Sequence, residues 1–504
     1  MAIDVARFTQ LCNVLAKIDL FGNDPKVRPN LNRAGSINAA LANGAAHIPI
    51  AYRDTYAAAI SKELPSILLQ IRDLPGVQRK AIIERFYGPV YEHAKLAGMR
   101  DVRPELRRFL AVVSNLYRSF VNANKRAAAH IPLVTAMPPL AFFQSNGDEG
   151  PYTVTSDSMQ QLFATPIAVV SLPATYRSHA LLWSSLTHEV CGHDVVHADP
   201  GLVSEMVQGV RAMFVGDAFA PNGPLSGDLL SALLWSYWID EAVADVYGVL
   251  NMGPTFALNH APFFSAMMAR AFVRAGRPVP ALPVLRSTAG PRDPTNGDNH
   301  MDEHPVDLLR LHLAIGVIEA QGHLSAATKA SYIADIEAIA KAAAHGSGQI
   351  HVQGQVEISH TNWRTLDETI PIAAAQQAAR RVGTFLATAK LQALGGHSIQ
   401  DIESWDDVDE STARAVGAKI VAKQSIVGAG DDAQLLAGAN IVVTSRPDLY
   451  DQMTTLLNAA LDDSYERDPI WGPVKIDPMV VPSFISGLGG PTRPIARRSR
   501  EVEA

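Results

Sequence analysis

Residues 174–197 read ATYRSHALLWSSLTHEVCGHDVVH, and this stretch decides how the rest of the chain is interpreted. Its apolar residues recur at helical spacing, which predicts a helix that carries His188, Glu189 and His193. A hydrolytic zinc site needs about three His or carboxylate ligands, an open position for water and a nearby base. The familiar sequence motif H-E-x-x-H places two histidines on one helix face. Here the spelling is H-E-x-x-x-H, with one additional residue between the histidines.

The additional residue makes a geometric demand on the helix. In a regular α-helix, a separation of five residues turns His193 about 140° away from His188, so the two could not hold one ion. A π-bulge absorbs one residue and restores the common face, and Gly192 would make that distortion easier. We therefore predict a helix that is locally widened near Gly192.

A second histidine pair has the regular spacing. His193 and His197 are four residues apart, with Asp194 in the position of the glutamate. Asp is one methylene shorter than Glu and would hold its carboxylate further from the water that it must deprotonate. The pair His188 and His193 is therefore preferred, and the pair with His197 stays open as an alternative.

A second helix offers the other half of a metal site. Residues 225–250 read LSGDLLSALLWSYWIDEAVADVYGVL, an apolar helix that nevertheless carries Asp240, Glu241 and Asp245. Glu241 lies 48 residues after His193, which is enough for a loop and a returning helix, so it is the predicted third ligand. Asp240 and Asp245 are predicted to accept hydrogen bonds from the ligand imidazoles. The competing interpretation is that the histidines lie on an ordinary polar helix face.

The pairing of HEVCGH with DEAVAD resembles the zincin metallopeptidases that use a glutamate as third ligand, in particular the dipeptidyl peptidase III family around its zinc site. The similarity covers roughly residues 150–310. It implies His188, His193 and Glu241 as ligands of one Zn²⁺ per chain and Glu189 as general base. It also implies an α+β, mostly helical fold with a zincin-like core, in which a small mixed sheet accompanies the motif helix and the glutamate helix.

Groups that stabilise a developing oxyanion usually come from further along the chain. The polar loop at 291–305 and the helix after it offer His300 and His304, which lie 59 and 63 residues after Glu241, and Arg310. We expect a catalytic role among these three. Side chains that are each expected to be structural are Tyr152, Tyr176, Cys191, His360 and Arg364.

Two short β-branched segments, YTVTS at 152–156 and IAVVSLP at 167–173, predict strands just before the motif helix. In zincins a strand in this position holds an extended peptide by backbone pairing, and the resemblance implies this role for IAVVSLP.

Length and composition predict several packed regions. With 504 residues, of which 47% are apolar, the chain exceeds what one hydrophobic core usually supports. We predict a helical N-terminal region over 1–145, a zincin-like catalytic core over 146–325, a helical C-terminal region over 326–475 and an extended or disordered tail over 476–504.

Charge, cysteine content and hydropathy argue against other classes of protein. A net charge of -7 and a pI near 6.1 do not favour a nucleic-acid-binding face. Cys12 and Cys191 alone cannot build a disulfide framework, which favours a reducing compartment. No secretory signal or membrane span is recognised, so a cytoplasmic protein without membrane partners is expected.

The expected activity is hydrolysis of peptide bonds by Glu-assisted attack of zinc-bound water, with a peptide or protein as substrate. One alternative is a di-metal oxygenase, whose sites use Glu-x-x-His, one residue shorter than the spacing from Glu189 to His193. The other is a non-catalytic binding protein stabilised by a metal, although structural zinc sites are generally closed by four ligands. The sequence leaves the substrate and the oligomeric state open.

Overall fold

The computed structural model describes residues 4–18, 20, 101–121, 126, 138–144, 150–163, 167–225, 227–280, 283–293, 298–344, 348–359 and 362–468, with isolated positions between 62 and 100. Helices dominate this part of the chain and two small sheets accompany them, so the α+β, mostly helical class is confirmed. The predicted tail at 476–504 lies outside the described residues. No helix in the described part is both long and apolar enough to cross a membrane.

The described α-helices are numbered in chain order. They are α1 (Val5–Ala16), α2 (Arg103–Val121), α3 (Ser156–Phe163), α4 (Val195–Ala198), α5 (Leu202–Val215), α6 (Gly227–Tyr237), α7 (Ile239–Met252), α8 (Thr255–Arg274), α9 (Asp307–Ala320), α10 (Ala326–Ala343), α11 (Ile372–Thr388), α12 (Ile399–Ile402), α13 (Asp407–Val421), α14 (Asp432–Ser445) and α15 (Tyr450–Arg467). Side-chain caps fix several starts: Ser325, Asp406 and Asp431 accept backbone N–H bonds at the first turns of α10, α13 and α14.

A three-stranded sheet precedes the motif helix. It consists of β1 (Leu140–Gln144), β2 (Tyr152–Val154) and β3 (Val169–Pro173), with β3 in the centre, parallel to β1 and antiparallel to β2. The strands predicted at YTVTS and IAVVSLP are therefore confirmed. The peptide-holding role implied for IAVVSLP is wrong, because both edges of β3 are already paired. Among the described strands, β2 has a neighbour on one side only.

A second sheet contains a long hairpin, to which three short strands are added. β7 (Gln349–Ser359) and β8 (Asn362–Pro371) are antiparallel, while β4 (Thr288–Ala289) and β6 (Asp298–Met301) pair with β7 in parallel. β5 (Pro291–Asp293) pairs with β6. The hairpin interrupts the region after residue 326, which the sequence predicts to be helical, and β5 and β6 replace part of the predicted loop.

Glycines let α9 and α11 cross at very short range behind the site. Gly316 of α9 lies against the backbone of Arg380, and Gly383 of α11 lies against the backbone carbonyl of Leu313. A β-carbon at either glycine would overlap the partner's backbone. This crossing holds α9, which packs against α7, close behind the motif region.

The buried apolar residues of the described part form one continuous cluster, from Phe8 in α1 to Tyr465 in α15. Residues on both sides of the predicted boundaries at 145 and 325 contribute to it. The domain limits themselves stay predictions. The segment around THEVCGH nevertheless packs against helices from both the predicted N-terminal and the predicted C-terminal region.

Candidate metal centre

The motif helix widens where its sequence requires it. Thr187–Asp194 forms a π-helix, which follows the 3₁₀-helix Ala180–Ser184 and leads into α4. The wider turn brings His188 Nε2 and His193 Nε2 within 3.2 Å of each other. The predicted widening near Gly192 is confirmed, and the two histidines share one face as a result.

Gly192 is required for a reason other than backbone freedom. The residue lies where the motif helix touches α7, the glutamate helix, and a β-carbon on it would overlap Cα and Cβ of Ala244. Glycine therefore permits the close approach of the two helices. Since Ala244 lies one turn after Glu241, this approach brings the glutamate to the histidines.

Glu241 completes a set of three converging ligand atoms. Its Oε2 lies 3.1 Å from His188 Nε2, and its Oε1 lies 3.4 Å from His193 Nε2. Two ligand atoms of a tetrahedral zinc ion, each about 2.0–2.1 Å from the metal, are roughly 3.3 Å apart. The 3.2 Å between the two imidazole nitrogens fits one edge of such a site, each nitrogen has one Glu241 oxygen at 3.1 or 3.4 Å, and one ligand atom from each of the three residues lies within 4.8 Å of the other two.

Asp245 holds the imidazole of His188 from behind. Its Oδ1 lies 3.0 Å from His188 Nδ1, which assigns the proton to Nδ1 and leaves Nε2 facing the cluster. Arg310 of α9 donates to both Asp245 oxygens at 2.7 Å and stacks over Phe264. The structure thus places Arg310 behind His188, where it holds Asp245, although the sequence offered it as a candidate for stabilising the oxyanion.

The charges of the cluster support one another. Burial alone would lower the pKa of His188, but hydrogen bonds with Asp245 and Glu241 outweigh it and raise the pKa to about 9. Burial of His193 is likewise outweighed by Glu241 and Glu189, so its pKa is raised. Burial would raise the pKa of Glu241, but the nearby histidines hold it well below the ordinary value. These acids favour positive charge at the histidine nitrogens, which protons or a divalent cation can supply.

Glu189, the predicted general base, is buried within the widened turn. Its Oε2 lies 3.0 Å from the hydroxyl of Thr153 in β2, and the same hydroxyl lies 3.1 Å from the Glu189 carbonyl. The carboxylate also contributes to the raised pKa of His193, after burial and the larger effect of Glu241. Its charge effect on His193 agrees with a carboxylate close to the cluster, and its role as the base stays a prediction.

His304 is the downstream histidine that reaches the cluster. Its Nε2 lies 3.5 Å from Glu241 Oε1, and its Nδ1 lies 2.9 Å from Asp302 Oδ1. The charge of Glu241, together with the hydrogen bond and charge of Asp302, raises the pKa of His304 to about 9. The side chain is 51% exposed, so it borders the open side of the cluster.

The loop before His304 is fixed to the start of the glutamate helix. Tyr237 Oη donates to the Met301 carbonyl at 2.7 Å, and Trp238 Nε1 donates to the Asp302 carbonyl at 3.0 Å. Arg286 donates to the Asp302 carboxylate at 2.6 Å. These contacts fix the histidine relative to the glutamate ligand.

Two other predicted residues lie outside the cluster. His300 Nδ1 contacts Asp298 at 2.7 Å, and its ring packs on Trp363 with centroids 4.4 Å apart. Asp240 does not receive a ligand imidazole: its Oδ1 lies 3.8 Å from Nε2 of His197, too far for a hydrogen bond. The predicted role of Asp240 is therefore wrong, whereas that of Asp245 is supported by its contact.

The residues expected to be structural take packed or tethered positions. Cys191 is buried and donates to the Leu116 carbonyl, so its packing role is confirmed. The other placements are Tyr176 in the core, Tyr152 against Phe142, and Arg364 on the carbonyls of Pro221 and Gly223. His360 lies outside the described residues.

Sequence reasoning misses several residues around the cluster. Asp302 is separated by one residue from His304, and that spacing was a usable signal for a carboxylate partner. Thr153 lies 36 residues from Glu189, and His260, enclosed by Phe256 and Phe264, comes from α8. No local pattern marks the last two, because only the folded chain brings them to the site.

Comparisons with models of protein families, with curated proteins and with solved structures found no match to this chain. The functional interpretation therefore depends on the motifs and on the geometry described above.

Proposed function

We propose that this chain is a zinc-dependent metallopeptidase. The observation that carries the proposal is the convergence of one ligand atom each from His188, His193 and Glu241, all within 4.8 Å of one another, with the two imidazole nitrogens 3.2 Å apart, as at a tetrahedral ion. Three protein ligands leave a fourth position for water, as is typical of catalytic zinc sites. We assign Glu189 the role of the base and His304, whose Nε2 lies 3.5 Å from Glu241 Oε1, the role of a hydrogen-bond donor.

The donor set favours a transition metal such as zinc over Ca²⁺ and Mg²⁺, and the surroundings argue against a di-metal centre. Two imidazole nitrogens and one carboxylate suit zinc, whereas Ca²⁺ and Mg²⁺ prefer oxygen ligands throughout. A di-metal oxygenase needs a second set of carboxylates and histidines nearby. Among the described residues, a single group of three such side chains comes close enough to hold an ion.

The residues around the cluster can each perform a step of amide hydrolysis. When bound, zinc would polarise the scissile carbonyl and lower the pKa of a coordinated water to around 7. Glu189 takes the proton of the attacking water and delivers it to the leaving amine. His304, held by Asp302, donates from Nε2 to the oxyanion that develops on the scissile carbonyl.

An extended peptide would dock on β2. Backbone pairing needs a strand with an unpaired edge, and β2 has one neighbour among the described strands while β3 has two. The centre of β2 also contacts Glu189 through Thr153. We therefore assign to β2 the role that the family resemblance implied for β3.

The test is Glu189→Gln. We expect peptide-bond hydrolysis to fall by at least about 100-fold while the chain still binds one zinc, because the amide cannot take the proton of water. Activity is measured with a peptide library and zinc by elemental analysis. The exposed Glu319→Gln is the matched control and should keep wild-type activity. Full activity in Glu189→Gln, or two irons per chain, would overturn the proposal.

A further inference from the structure

Thr153 makes the closest contact between the three-stranded sheet and the predicted base. It is the middle residue of β2 and pairs with Val170 of β3. Its hydroxyl points to the motif helix, while the ring of its neighbour Tyr152 packs edge-on against Phe142. This alternation is what a strand imposes, and it leaves one β2 side chain for the motif helix.

The contact is directed at the carboxylate of Glu189. The Thr153 hydroxyl has one proton and two acceptors within reach, Oε2 at 3.0 Å and the Glu189 carbonyl at 3.1 Å. A carboxylate is the stronger acceptor of the two, because charge-assisted hydrogen bonds are about twice as strong as neutral ones. Among the described residues, no other side-chain donor is seen within hydrogen-bond distance of this carboxylate.

We propose that Thr153 is a positioning residue for the base, which ties Oε2 of Glu189 to the strand that docks the substrate and leaves Oε1 to take the proton. The inference rests on the proposed function. A base without this tether retains its charge but loses its single orientation. Since small misplacements at a reacting centre cost large factors in rate, the tether affects turnover and not ligand assembly.

The proposal commits β2 to two tasks. A peptide that pairs with β2 lies along the strand whose centre contacts the base. The same strand therefore positions both the substrate and the carboxylate that takes the proton. Thr153 makes no contact with His188, His193 or Glu241, and zinc binding should not depend on it.

The test compares Thr153→Val, which removes the hydroxyl at nearly constant volume, with Thr153→Ser, which keeps it. We expect Thr153→Val to lower kcat by about tenfold, with KM and zinc content nearly unchanged, and Thr153→Ser to retain kcat within about threefold. The matched control is Thr155→Val, because that hydroxyl contacts Asp157 and Ser158 instead of Glu189. In a Glu189→Gln background, Thr153→Val should cause no further loss.

A readout that does not depend on turnover separates this inference from the proposed function. Crystal structures of the wild type and of Thr153→Val should show Glu189 in one orientation in the first and in several, or a different one, in the second. Wild-type kcat in Thr153→Val, an equal loss in Thr153→Ser, or an unmoved Glu189 would each overturn the positioning role. Full activity of Glu189→Gln would instead overturn the peptidase mechanism.

Discussion

Asp245 is the residue on which the orientation of His188 depends. Its Oδ1 lies 3.0 Å from Nδ1 of His188 and accepts a hydrogen bond from it. Arg310 donates to both oxygens of Asp245 at 2.7 Å. Charge-assisted bonds from two sides hold the carboxylate in place. A buried acid in an apolar helix thereby becomes part of the candidate metal centre.

Asp245→Asn should weaken zinc binding by about 10- to 100-fold, because a ligand imidazole without its carboxylate partner is less basic and less well oriented. Affinity is measured by competition with a chromophoric chelator. Asp240→Asn changes the same residue type on the same helix, yet Asp240 contacts His197 only at 3.8 Å, so it should change affinity little. Equal losses in the two variants would contradict the role given to Asp245.

His304→Asn should lower kcat by about 100- to 1,000-fold at unchanged zinc content, since one donor to the developing oxyanion is lost. Steady-state kinetics and metal analysis check both parts. His300→Asn serves as the control, because His300 faces Asp298 and Trp363. A His304→Asn enzyme with normal kcat would show that another group stabilises the oxyanion.

At the residue scale, the sequence predicts those site residues that lie together in a short motif. His188, His193 and Glu241 are brought together as predicted because two motifs each carry part of one chemical pattern. The position of Arg310 is not predictable from spacing, because it depends on how α9 crosses α7. Thr153 is missed for a similar reason, since its contact joins two elements 36 residues apart.

At the element scale, the contact of the motif helix with α7 sets the ligand geometry. Gly192→Ala should destabilise the protein by about 1–3 kcal/mol or more and weaken zinc binding, because the new methyl group must push Ala244 and its helix away. Thermal unfolding and chelator competition measure the two effects. Gly227→Ala, at a helical glycine with open space around it, should change neither.

Predictions for whole elements follow the periodicity of the sequence. The π-helix is predictable because the five-residue histidine spacing makes sense only if the helix widens. The β7–β8 hairpin is missed although Ile350, Val352 and Val356 are buried at the two-residue period of a strand. Ala-rich helices on both sides of the hairpin favour a helical interpretation, although β7 and β8 pair with each other along nearly their whole length. Which strand of the first sheet is central is likewise decided by pairing and not by composition.

At the scale of the whole molecule, the candidate metal centre lies beside the continuous core, and a bound ion should contribute to global stability. With zinc at about one hundred times its dissociation constant, linkage adds about 2.7 kcal/mol, which corresponds to about 2 to 3 °C in Tm for a chain of this size. Differential scanning calorimetry with and without a strong chelator measures the shift. His193→Ala should unfold at a Tm that the chelator does not change.

A buried acid far from the metal centre should make folding stability depend on pH. Burial raises the pKa of Asp432, at the start of α14, from its ordinary 3.8 to about 7. Between these values the folded protein keeps a proton that the unfolded chain releases, so this contribution to stability is lost as pH rises toward 7. Asp432→Asn should therefore be more stable than wild type at pH 8, by up to about 4 kcal/mol because the pKa differs by about 3 between the two states, and equal to it near pH 4.

Urea unfolding at several pH values tests this expectation. Asp448→Asn is a suitable control because Asp448 is exposed and paired with Arg446. A wild type and an Asp432→Asn variant with parallel stability curves would show that Asp432 stays ionised in the fold.

The contact of Gly192 with Ala244 also defines which residues a related sequence must have at these positions. A chain that builds the same centre must place glycine directly before its second histidine and a small residue three positions after its glutamate, since larger side chains would separate the helices. The composite pattern H-E-x-x-G-H, followed by E-x-x-A-D, is therefore more selective than either motif alone. A sequence search with this pattern therefore selects chains in which the two helices can pack in direct contact.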